Sequence, residues 1–274
     1  MAAVKKSLVV EALRRSQMTE LLAKGKRLDG RGPLDYRPIR IETGVISKAS
    51  GSARVIIGNT EVIAGVKVET GTPFPDTPDQ GLLIVNAEVL PLASPYAEPG
   101  PPDEDAIELA RVVDRGIRES QMIDVSKLVI KEGEKVYAVF VDVSVLNVDG
   151  NLFDTTSYAV VSALLTAKYK RHELVDGKLK ELEGSEPLPL KTIPTSVTMA
   201  KIGDTVVVDP TDEEEAVMDA RLTITTDSNG NICAGQKGNA GTFSFEQMQS
   251  AADISRMKGE ENRKIIREVT GFAN

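Results

Sequence analysis

Apolar positions recur at helical spacing early in the chain: Leu8, Val9, Leu13, Met18, Leu21 and Leu22 share one face over residues 5–24, and Gly25 ends the run. The period then falls to two. Strands are expected at 37–46, 52–58 and 61–69, with Val55 and Ile57, then Val62, Ala64 and Val66, alternating around a Gly58-Asn59 turn. LLIVNAEVLPLA (82–93) reads as a buried strand between two proline-rich loops, 70–81 and 94–106. Pro101, Pro102 and the carboxylates after them open a helix over 103–122, since proline suits the first turn and acids suit its positive end. Strands at 127–131 and 135–147 and a helix over 154–171 complete a first half, and 175–194 reads as a connector ending in prolines. The second half repeats the order: strands at 195–201, 204–209, 218–226 and 230–236, then a helix from 245 to 269. Strands followed by helices in each half predict an α+β layered fold. The expected halves are 1–180, including the N-terminal helix, and 181–274, packed as one compact unit.

Composition narrows the function. With 274 residues, 41% hydrophobic and 27% charged, the chain suits a water-soluble globular protein. It offers no apolar run of about 18 residues for a membrane, and its N-terminus is too charged for a signal peptide. One cysteine, Cys233, excludes an internal disulfide framework and fits the cytoplasm; in the strand NICAGQ it is expected as a small buried residue. The single histidine, His172, is expected at a helix end and argues against triads and histidine-rich zinc sites. A net charge of −8 means that any nucleic acid must be held by a local basic patch.

Two patterns could carry chemistry. In ELARVVDRGIRES, Arg111, Arg115 and Arg118 project within about 60° of one another on a helix. Ile107, Ala110, Val113 and Ile117 are expected on a separate, buried face. The row is either a solvated face neutralised by Glu108, Asp114 and Glu119, or a grip for several phosphates. The cluster Asp209, Asp212, Glu213, Glu214 and Glu215 is either an acidic loop and helix start or an attractor for a divalent ion; no metal or cofactor is assigned to it.

The stretch KRLDGRGPLDYRP, with Arg27, Asp29, Gly30, Arg31, Arg37 and Pro38, and the hairpin from Gly51 to Val62 together resemble the opening of the ribonuclease PH family of phosphorolytic exoribonucleases. Within that family, Glu98 to Arg115 and Val208 to Glu215 most resemble the non-catalytic ring subunits of archaeal exosomes. The resemblance implies the ribonuclease PH fold, a duplicated βαβα core of the ribosomal protein S5 domain 2-like kind. It implies a hexameric ring with three copies of a catalytic subunit, RNA-binding cap proteins, and single-stranded RNA degraded from its 3′ end with phosphate. It also assigns Arg111, Arg115 and Arg118 to RNA.

Catalytic relatives carry a D-[GA]-G-T-R run whose threonine and arginine bind the attacking phosphate at a helix N-terminus. Here Asp149, Gly150 and Asn151 are followed by Leu152 for the threonine and Phe153 for the arginine, and Asp154 is expected to add negative charge where phosphate sits. The family's paired aspartates become Asp209 and, six residues on, Glu215. These changes imply a silent site in a chain that supports a catalytic partner. The alternative is a self-sufficient phosphorolytic exoribonuclease forming a homo-oligomeric ring.

Overall fold

The period-two run around Gly58 forms a hairpin in the computed structural model, which describes residues 8–95, 97–175 and 178–272. β1 (Ile39–Thr43), β2 (Gly51–Ile57) and β3 (Thr60–Gly71) form an antiparallel meander. The helix before it, α1 (Leu8–Ala23), ends at Gly25, whose φ of +69° is a conformation glycine adopts without strain. The expected start at residues 5–7 lies outside the described residues. Met18 and Leu22 anchor α1 on Ala200, Ile202 and Val207 of the second half.

β4 (Leu82–Val89) stops where Pro91 removes a donor, and α2 (Glu104–Glu119) follows, capped by Asp103, whose side chain accepts the Ala106 N–H at 2.9 Å. A short β5 (Val129–Lys131) leads into β6 (Lys135–Asn147), which pairs antiparallel with β3 and parallel with β4. A parallel neighbour needs a crossover, and α2 supplies it. The six-stranded sheet runs β1-β2-β3-β6-β4, with β5 on β6.

α3 (Leu152–Thr166) is apolar nearly all round, and 13 of its 15 residues are buried. One side packs on β2 and β3. Gly51 permits the approach, since a Cβ there would meet the Ala163 carbonyl at 2.3 Å. The opposite side meets the second sheet, where the Tyr158 hydroxyl donates to the Ser196 carbonyl at 2.7 Å.

Beyond α3 the chain differs from expectation. The helix stops at Thr166 rather than 171, and β7 (Lys168–Tyr169), β8 (His172–Val175), β9 (Lys178–Glu181) and β10 (Glu186–Pro187) form two small ribbons, β7 with β10 and β8 with β9. His172 therefore opens a strand, its N–H donating to the Tyr137 hydroxyl at 2.6 Å, and the segment 175–194 is partly strand. Tertiary pairing overrides helical propensity here.

The second sheet is β12-β11-β13-β14, built from β11 (Thr195–Ile202), β12 (Thr205–Val208), β13 (Ala220–Thr226) and β14 (Ile232–Gly238), with the short α4 (Asp212–Glu215) between β12 and β13. α5 (Phe245–Thr270) starts with a capping box at Ser244 and Gln247. It buries Arg263, which donates to the Ile193 carbonyl at 2.8 Å and the Thr226 carbonyl at 3.0 Å. Cys233 is only half-buried in the edge strand β14, its sulfur 3.5 Å from the Asn231 carbonyl, because edge strands leave one side open. Burial still pushes its thiol up, away from the reactive thiolate.

Candidate functional site

The basic turn that opens the first sheet is a lock. Arg27 is buried and forks onto Glu214 at 2.8 and 2.5 Å, while also donating to the Val208 and Asp209 carbonyls at 2.8 Å each. Arg37 makes a two-pronged contact with Asp209 at 2.9 and 2.8 Å, and Arg31 adds another at 2.8 Å. Burial alone would raise the Asp209 carboxyl, but Arg37 overcomes it and holds the group below the usual range. Three arginines thus tie the N-terminal turn to β12 and α4.

Asp209 and Glu214 are spent in this lock, and the acidic cluster is divided. Glu214 also closes a capping box with Thr211, Glu215 turns inward, and Asp212 and Glu213 stay at the surface. Among the described residues no three His, Cys, Asp or Glu side chains converge into a metal-holding group.

Asn151 sits at the start of α3 in the left-handed region, φ 54° and ψ 47°. Asparagine is one of the few residues that adopts it at little cost. Gly150 before it is at φ +77°, with the place of a Cβ only 2.4 Å from the Pro210 carbonyl. This turn aims the Asn151 N–H at Glu215, whose Oε1 accepts it at 2.8 Å. A helix N-terminus attracts an acceptor oxygen or an anion, and here a carboxyl group of the chain itself takes the place. Burial pushes the Glu215 carboxyl up to about 7, opposed by the Asn151 N–H and the Arg221 charge.

Beside Glu215, the ring of Phe153 lies 4.0 Å under the Arg221 guanidinium, a cation–π stack that Glu108 completes by accepting from Arg221 at 2.7 Å. These residues wall a pocket of about 210 Å³. Its lining carries five carboxylates (Asp103, Asp105, Glu108, Asp212 and Glu215) against one guanidinium, Arg221. Such a wall repels a phosphate dianion.

Asp154 does not face this pocket, contrary to the expectation from its place in the run. One step round the helix turns it toward β11, where it accepts from the Thr198 N–H at 3.0 Å, the Thr198 hydroxyl at 2.8 Å and the Tyr36 hydroxyl at 2.7 Å. Burial raises its carboxyl to about 6. The acidic groups at the pocket are instead the five of its lining, Asp212 and Glu215 among them.

Arg111, Arg115 and Arg118 are all exposed along α2, as their spacing requires, while Ala110, Val113 and Ile117 are buried. Ile107 is 53% exposed and does not join the buried face, because four residues before Arg111 is the arginine side of the helix. Arg118 pairs with Asp114 at 2.8 Å and donates to the Leu83 carbonyl at 3.0 Å. Glu108 is drawn away to Arg221, and among the described residues Arg111 and Arg115 carry no ion pair. Sequence reasoning missed Arg221, whose signal was a lone charge in a strand, and it singled out Arg27 only as part of the opening motif, since its partner Glu214 lies 187 residues away.

Comparisons with known proteins agree with this architecture. Residues 35–170 match domain 1 of the 3′ exoribonuclease family (RNase_PH), and residues 192–257 match its domain 2. The exosome complex component Rrp42 of Thermococcus gammatolerans is 52% identical over 268 residues, covering 97% of this chain and 98% of that one. Its counterpart in Pyrococcus horikoshii is 52% identical over 262 residues, covering 95% and 96%. A chain of the Archaeoglobus fulgidus exosome with RNA bound to the active site superposes with TM-score 0.85 at 44% identity, covering 93% of this chain and 98% of that one. An archaeal exosome core chain superposes with TM-score 0.81 at 41% identity, covering 95% and 98%. The protein has the ribonuclease PH fold and belongs to the 3′ exoribonuclease (RNase PH) family.

Proposed function

We propose that this chain is the non-catalytic ring subunit of an archaeal-type exosome. Three copies alternate with three copies of a catalytic ribonuclease PH-like subunit in a hexameric ring in the cytoplasm, together with RNA-binding cap proteins. Single-stranded RNA is degraded from its 3′ end by phosphorolysis at the partner's active site. This chain holds the RNA through Arg111, Arg115 and Arg118 and helps to structure that site. The halves 1–180 and 181–274 act as one unit in the ring.

The observation that carries the reading is Glu215 at the N-terminus of α3 beside Phe153. Phosphorolysis requires inorganic phosphate to be gathered by positive charge and aligned on the scissile phosphodiester. Here the helix end is occupied by a carboxylate, the arginine position is an apolar ring, and Asp209 is consumed by Arg31 and Arg37. Each feature alone weakens a phosphate site; together they leave no place for the attacking group.

The arrangement of α2 supports the RNA-holding role. Its apolar side is anchored, two of its arginines are unpaired among the described residues, and guanidinium grips two phosphate oxygens at once. Exposed apolar residues along α5, Phe245, Met248, Met257 and Val269, support assembly, since a lone chain gains from covering them. The self-sufficient homo-ring is the competing account, and the carboxylate-lined pocket stands against it. Mixing the purified chain with a catalytic subunit and measuring mass by light scattering tests assembly. A six-membered ring is expected, and a chain that stays apart from the catalytic subunit contradicts the proposal.

A further inference from the structure

A second cationic surface lies at the other end of the first sheet. Ser50 gathers it. Its N–H donates to the Val66 carbonyl at 2.7 Å, its carbonyl accepts the Lys168 N–H at 2.8 Å, and its hydroxyl accepts the Val68 N–H at 3.2 Å. These three bonds bring the β1–β2 loop, the end of β3 and the strand after α3 to one point. They thereby cluster Lys48, Lys67 and Lys168 around a groove of about 570 Å³. Tyr169 and His172 complete the wall, both braced on Tyr137, with ring centroids 4.8 and 5.9 Å away.

The chain carries 41 acidic against 33 basic residues, and some of its lysines find carboxylates: Lys127 with Asp124, Lys131 with Glu134, Lys258 with Glu261. In the groove itself Lys170 is bonded to Glu181. Lys48, Lys67 and Lys168 are exposed and have no ion pair among the described residues, with Glu69 as the other carboxylate in the wall. Three exposed ammonium groups lining one groove with a half-buried tyrosine combine the two elements that bind single-stranded nucleic acid, point charges for the backbone and a ring for a base.

The groove is not part of the site at α3. Tyr137 stands near the start of β6, whereas the Phe153 pocket is bounded by Val148 just past the end of that strand. At about 3.3 Å per residue the two are roughly 35 Å apart.

We propose that this groove is a second phosphate-backbone site for single-stranded RNA, distinct from the α2 arginine row and holding an upstream part of the strand. It rests on the reading that this chain meets RNA. The test is anisotropy of a fluorescent oligoadenylate of about 20 nucleotides across a salt series, using the full chain alone and with the catalytic subunit. The variants are Lys48→Gln/Lys67→Gln/Lys168→Gln and, separately, Arg111→Ala/Arg115→Ala/Arg118→Ala. The three exposed lysines make no side-chain hydrogen bond or ion pair among the described residues, so the lysine variant should melt like the parent. Its slope of log affinity against log salt is expected to shallow by about 2, at about 0.7 per lost contact. Parental binding with an unchanged slope in the lysine variant overturns the groove alone. No binding by the parent in either form overturns the RNA reading with it. Lost assembly with unchanged RNA affinity identifies the groove as a protein interface and likewise overturns the proposal.

Discussion

The Glu215 carboxyl accepts the backbone N–H of Asn151 at 2.8 Å, so the N-terminus of α3 is already occupied by a group from its own chain. This contact should be visible in the pH dependence of stability. Burial raises the Glu215 carboxyl from its ordinary 4.5 to about 7, so between those values the folded chain binds more protons than the unfolded one. Stability contributed by the protonated form is complete below about pH 4.5 and is lost as pH rises through about 7. Asp154, raised to about 6, acts in the same direction. Thermal midpoints should therefore fall by about 3 °C or more across this window, and Glu215→Gln should flatten the upper part of the fall.

Restoring the family arginine should not restore activity. Phe153→Arg sets a cation against Arg221, which already stacks on the ring at 4.0 Å, and leaves Glu215 on the helix end. Phosphate-dependent release of nucleoside diphosphates from RNA should stay at background in this variant. A rate above background would mean that the arginine was the one missing part.

Asp209 is a structural anchor in this chain. Asp209→Asn removes the counter-charge of Arg37 and Arg31, whose side chains are 8% and 13% exposed. Arg31 keeps Asp29 at 2.6 Å and Arg37 keeps Asp149 at 3.5 Å, so the loss should fall short of the about 3–5 kcal/mol of a fully unpaired buried charge. Urea unfolding should show a loss above about 1 kcal/mol with little change in slope, and a smaller shift would contradict the lock.

The α2 arginines should not be equivalent. Arg118 is shared with Asp114 and the Leu83 carbonyl, whereas Arg111 and Arg115 have no ion pair among the described residues. Single alanine variants of Arg111 and Arg115 should each shallow the salt slope of RNA binding in the assembled ring by about 0.7, with Arg118→Ala giving less. Lysine at either position should rescue in part, because the charge returns without the two-pronged geometry. The partner's turnover should drop as well, since a loosely held 3′ end is badly aligned.

Features carried by local rules were legible in the sequence. The Gly58 hairpin, the proline-led start of α2 and the long α5 follow from turn chemistry, capping and periodicity, and they lie close to their expected bounds. That Phe153 and Glu215 stand in for a phosphate-binding arginine and an aspartate is a reading of the family pattern alone. Long-range pairing was not. Nothing near Arg27 announces Glu214, and nothing in the run from Lys168 to Pro187 announces strands that exist only because they find one another. The directions of Asp154 and Ile107 were missed for a smaller reason: one residue on a helix is about 100° of rotation.

The central claim is that this chain does no phosphorolysis itself. The direct measurement is release of nucleoside diphosphates from a 3′-unstructured RNA in the presence of inorganic phosphate, first with the pure chain and then with the catalytic subunit added. The account predicts none from the pure chain and sustained release from the mixture, at a rate that falls when Arg111, Arg115 and Arg118 are replaced by alanine. Release by the pure chain that Asp209→Asn abolishes in a variant still folded at the assay temperature would contradict it and favour the self-sufficient homo-ring.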